Sequence, residues 1–100
     1  MKTEMKETTP RLDPLFSPGR IVITRGANDA LPKSEVTGAL GRHLCGDWGE
    51  CGPGDWEENE LALGEDFRLF SVYRTHAGVK FWIITEADRS ATTVLLPEEY

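Results

Sequence analysis

One hundred residues, 39% of them apolar, suffice for one modest hydrophobic core and exclude two. The longest unbroken apolar run, Phe81-Trp82-Ile83-Ile84, is far short of the roughly 20 residues that cross a bilayer, so no membrane span is expected. A net charge of -6 opposes contact with phosphate backbones and argues against direct nucleic-acid binding.

Residues 1–13 are rich in Lys, Thr, Glu, Pro and Arg and read as a disordered tail ahead of one domain over 14–100. No apolar stretch follows the two N-terminal lysines, which makes the cytoplasm the expected location. Pro14, Pro18 and Gly19 mark turns before a short β-branched strand, Arg20 to Thr24. Ala27 to Leu31 has room for one helical turn before Pro32. Ser34 is placed as an N-cap, and Val36, Leu40, Leu44 and Trp48 recur every four residues, which predicts an amphipathic helix.

Four glycines and a proline between Gly46 and Gly54 predict a loop with unusual backbone angles. A second helix follows, with Asp55 and Glu58 at capping-box spacing and Gly64 as its stop. From Arg68 the periodicity is that of strands: Arg68 to Thr75, Val79 to Thr85 and Thr92 to Leu96, separated by turns at His76-Ala77-Gly78 and Ala87 to Ser90. The order predicts an α+β fold, a small antiparallel sheet of three to four strands with two helices on one face.

Several clusters carry potential chemistry. His43 and Asp47 are four apart near a helix end, a spacing at which a carboxylate orients an imidazole, and with Arg89 they are the candidate catalytic residues. The structural alternative has His43 hydrogen-bonded locally and Asp47 capping a turn. Between Asp47 and Asp66 stand eight acids (Asp47, Glu50, Asp55, Glu57, Glu58, Glu60, Glu65, Asp66) and no Lys or Arg, a run that matches no calcium loop and reads as a solvated face. Glu57, Glu58 and Glu60 are candidate binding residues on that face. Trp48 and Trp56 flank the glycine-rich loop and mark a binding edge if exposed, or part of the core if not. Glu86, Asp88 and Arg89 form either a recognition tip or a turn in which Asp88 caps and Arg89 pairs with a carboxylate of the acidic helix. Cys45 and Cys51 lack C-x-x-C spacing and a second cysteine pair, so thiols are expected, with no metal and no cofactor.

The runs HLCGDWGE (His43 to Glu50), NELAL (Asn59 to Leu63), RLFSVY (Arg68 to Tyr73) and WIITEADRSATTVLLPEEY (Trp82 to Tyr100) resemble small bacterial proteins described as plasmid-related, some of them labelled type I restriction methylation subunits. The resemblance extends from Gly19 to Tyr100 and implies a bacterial protein associated with plasmids or other mobile elements. The chain lacks S-adenosylmethionine-binding and catalytic motifs, so it implies no methyltransferase activity, and Cys45 and Cys51 around GDWG depart from the commoner pattern. The sequence therefore reads as an acidic interaction module for an unidentified protein partner, monomeric or weakly dimeric. An anti-restriction variant has the acids occupying a DNA-binding protein. The alternative is a small hydrolase-like or nuclease-like enzyme using His43 and Asp47.

Overall fold

A computed structural model describes residues 13–100; all of the expected tail but Asp13 lies outside the described residues. The order is β1 (Arg20–Ile23), α1 (Arg25–Ala30), α2 (Lys33–Leu44), α3 (Pro53–Leu63), β2 (Leu69–Arg74), β3 (Lys80–Thr85), β4 (Ala91–Leu95) and a 3-10 turn at Pro97–Glu99. The fold is α+β, as the change in periodicity predicts.

The four strands lie in the order β1-β4-β3-β2. β2, β3 and β4 form the predicted antiparallel meander, but β1 runs parallel to β4, with Ile21 beside Thr92 and Ile23 beside Val94. The sheet is therefore mixed rather than antiparallel. Nearly the whole domain separates β1 from β4, a connection long enough to bring the chain back in the same direction, which no hairpin can do.

There are three helices rather than two. The turn expected near Ala27 is the six-residue α1, capped by Thr24, whose Oγ1 accepts from the Ala27 N–H at 3.2 Å. α2 starts directly after Pro32 with no side-chain cap, so Ser34 is inside the helix and not its cap. α3 starts at Pro53 after Gly52, so Asp55 and Glu58 form no capping box; Pro at the first position supplies a helical φ and lacks an N–H that would have no partner within the helix. Gly64 ends α3 as expected.

Strand alternation sorts the core. Ala27, Leu31, Val36 and Ala39 from the helical side pack on Tyr73, Phe81, Ile83 and Val94 of the sheet. A second cluster joins Trp48, Ala62 and Leu69, with Phe16, Trp56 and Leu63 against it. Each of the larger side chains so buried contributes about 1.5–3 kcal/mol. The opposite sheet face carries Phe70 and Trp82, ring centroids 5.1 Å apart, with Tyr100 edge-on to Trp82 at 5.6 Å.

Candidate functional site

His43 lies in the last turn of α2 on the inward stripe of Val36 and Ala39, and it is fully buried. Its Nδ1 is 2.6 Å from Ser71 Oγ and its Nε2 is 2.8 Å from Thr85 Oγ1. Thr85 Oγ1 lies 2.7 Å from Thr92 Oγ1, which donates to the Pro18 carbonyl at 2.7 Å. Each hydroxyl owns one hydrogen, and with the imidazole neutral one assignment satisfies the whole chain. Thr92 donates to Pro18, Thr85 to Thr92, His43 Nε2–H to Thr85, and Ser71 to His43 Nδ1. The imidazole is neutral, and burial, with the positive charge of Arg89 second, pushes its pKa down to about 3.

This relay ties α2 to β2, β3, β4 and the segment before β1. Ser71 is as fully buried as His43, so the pair has no surface at which a substrate reaches it. Phe16 and Trp48 close over the imidazole edge-on, with centroids at 5.4 and 5.5 Å.

Asp47 does not meet His43. α2 ends at Leu44, so the four-residue spacing no longer places the two on one face. The Asp47 carboxylate instead accepts from Arg42 Nε at 2.7 Å, from Arg42 Nη2 at 3.2 Å and from the Gly49 N–H at 3.2 Å. The Arg42 hydrogen bond holds the Asp47 carboxyl below its usual range.

Arg89, in the left-handed region at φ 62°, turns its guanidinium onto main-chain carbonyls. Nη1 donates to Phe67 at 2.7 Å and Ala87 at 3.1 Å, and Nη2 to Ala62 at 2.8 Å and Glu65 at 3.3 Å. These include carbonyls at the end of α3, where unpaired acceptors and the helix dipole favour a cation. The expectation of a carboxylate partner from the acidic helix is corrected: carbonyls, not carboxylates, hold this side chain. Its charge also lies 5.7 Å from the centre of the Phe16 ring. Glu86 pairs with Arg68 at 3.6 Å, and Asp88 accepts from the Ser90 N–H at 2.9 Å to close the turn.

The GDWG loop is built into the sheet. Trp48 is fully buried, which places it in the core and not on the binding edge considered for it. Its Nε1–H donates to Glu60 at 2.9 Å, so Glu60 holds a core indole from the surface, while Glu57 and Glu58 face solvent. The Val72 N–H donates to Trp48 O at 3.1 Å and the Glu50 N–H to Val72 O at 2.7 Å. Gly49, between them at φ 74°, has no room for a Cβ, which would strike the Val72 carbonyl. Trp56 is half-buried, with its Nε1–H 3.3 Å from Gly49 O.

Sequence reasoning missed Asn59. Its buried amide donates to Phe70 O at 2.7 Å and accepts from the Phe70 N–H at 3.0 Å, acting as a strand partner at the outer edge of β2. The available signal was a polar residue on the inward stripe that Trp56, Asn59 and Ala62 share.

The acids that remain form the outer surface of α3 and the turn after it. Asp55, Glu57, Glu58, Glu65 and Asp66 are exposed and make no ion pair among the described residues. Among them Leu61 is 65% exposed and Phe67 60% exposed. Glu58, Leu61, Ala62, Phe67 and Arg68 line a groove of about 330 Å³ there.

Among the described residues no three His, Cys, Asp or Glu side chains converge as metal ligands, and no helix is long and apolar enough to cross a membrane. Cys45 and Cys51 are not bridged, and burial raises the Cys51 thiol pKa. The chain matches no protein-family model, no curated protein and no solved structure.

Proposed function

We propose that this protein is a small interaction module that binds a protein partner through the outer surface of α3. The observation that carries this reading is the exposure of Leu61 and Phe67 beside one groove, within acids that have no cationic partner among the described residues. An apolar centre with a charged rim is the anatomy of a protein interface, and the negative rim selects a basic partner. Resemblance to bacterial plasmid-related proteins fits a partner of the DNA-binding class, whose basic surface the acids would meet. The burial of His43 in a satisfied relay supports this reading over a hydrolase-like one.

The test compares capture of partners from a bacterial lysate at low salt by the tagged wild type and by two variants, Glu57→Lys with Glu58→Lys, and Leu61→Ser with Phe67→Ser. Glu60 is left unchanged because it holds Trp48. A specific partner should be retained by the wild type and reduced about tenfold or more by either variant, with melting unchanged. Equal retention by all three proteins rejects the α3 surface as the interface.

A further inference from the structure

We infer that β1 pairs antiparallel with β1 of a second copy, joining two four-stranded sheets into one across a twofold axis. The two edges of this sheet are treated differently by the chain. At the β2 edge, Asn59 satisfies the outward N–H and C=O of Phe70, and Trp48 and Glu50 satisfy those of Val72. At the β1 edge nothing among the described residues does this. Arg20 and Thr24 donate inward, to Ser90 O and Val94 O, each at 3.0 Å. In a parallel ladder the alternate residues then point their N–H and C=O outward, so Ile21 and Ile23 present two donors and two acceptors to solvent.

That spacing is self-complementary. Setting Ile21 opposite Ile23 of a second copy makes two hydrogen-bonded pairs, with Val22 facing its counterpart on the twofold axis. The exposed side chains agree: Ile21 and Ile23 are 43% and 40% exposed, and both lie on the helical side, where they would cover each other. Ile23 also lines a groove of about 160 Å³ with Leu31, Val36 and Leu40, which extends the apolar surface beside the seam. The same register brings Arg20 opposite Thr24 of the second copy. There Thr24 Oγ1 donates to Glu99, so a cation from each copy meets the other's carboxylate. A four-residue edge covers little area, so the association is reversible and concentration-dependent. An uncovered, β-branched edge without Pro is the kind of strand that pairs with another chain.

Sedimentation and light scattering over a concentration series test this on the full chain. The mass should rise from 11.2 kDa toward twice that value. The exposed pair of substitutions Ile21→Lys and Ile23→Lys places lysines opposite each other across the axis and should weaken self-association on the order of 100-fold, with melting unchanged. Under mild oxidation the Val22→Cys variant should form an interchain disulfide that peptide mapping locates at position 22 on both chains, since a non-hydrogen-bonded antiparallel pair has suitable Cα separation. A mass of 11.2 kDa at every concentration overturns the inference. So does a dimer that the lysine variant leaves intact, which would use another surface. Amide exchange showing Ile21 and Ile23 protected in a monomer would assign the edge to the chain's own residues 1–12, and that outcome also overturns it.

Discussion

At the scale of single residues, His43 shows how one imidazole couples folding to pH. Its folded pKa of about 3 lies below the ordinary imidazole value of 6.5, so between those values the unfolded chain takes up a proton that the folded chain refuses. The His43 contribution to stability is fully present above about pH 6.5 and is lost progressively as pH falls toward 3. Denaturant titrations at pH 7.5 and pH 5 should show a loss on the order of 1–2 kcal/mol, and the His43→Gln variant should flatten that component of the pH dependence. An unchanged slope in the variant would assign the acid sensitivity to carboxylates. His43→Ala at neutral pH removes packing and leaves the Ser71 and Thr85 hydroxyls without their partner, at a cost of about 2–5 kcal/mol in the same titration.

Among the elements, the β3–β4 turn and the end of α3 depend on each other through Arg89. Its guanidinium donates to the carbonyls of Ala62, Glu65 and Phe67 on one side and of Ala87 on the other, fastening a helix to a hairpin distant in sequence. Lysine cannot reproduce that fork, so Arg89→Lys should lower stability by about 1–3 kcal/mol. Hydrogen exchange should speed first at Gly64 and Glu65, whose N–H groups close the end of α3. Uniform acceleration across the chain would mean that Arg89 acts on global stability alone. The positions of these elements were legible from periodicity, since β-branched alternation and glycine placement are local signals. Their starts were less so: Pro32 and Pro53 set the first turns of α2 and α3, and both displaced the polar caps that residue type suggested.

Across the whole molecule, the two surfaces proposed to meet other chains lie at opposite ends of the strand order. α3 packs beside β2, while β1 forms the far edge. Separation of this kind makes their energetics additive. Glu57→Lys with Glu58→Lys should leave the sedimentation behaviour within about twofold of wild type, and Ile21→Lys with Ile23→Lys should leave partner capture equally unaffected. Coupled loss of both properties in either variant would show that one surface depends on the other. Partner capture should also weaken as salt rises from low to physiological levels, because the acids of α3 are exposed and screened within about 8–10 Å.

What the sequence determined by itself was local: the α+β class, the strand meander, Gly64 as a helix stop and the acidic stretch that became the outer surface of α3. Each depends on neighbours a few residues apart, where period, backbone freedom and charge act directly. The remainder depends on contacts between residues far apart in the chain. β1 turned parallel because its partner came from the other end of the chain. His43 and Asp47 parted because a helix stopped three residues before the aspartate. Trp48, Asn59, Glu60 and Arg89 became parts of the frame because buried polar groups must find partners, and those partners lie 11 to 27 residues away.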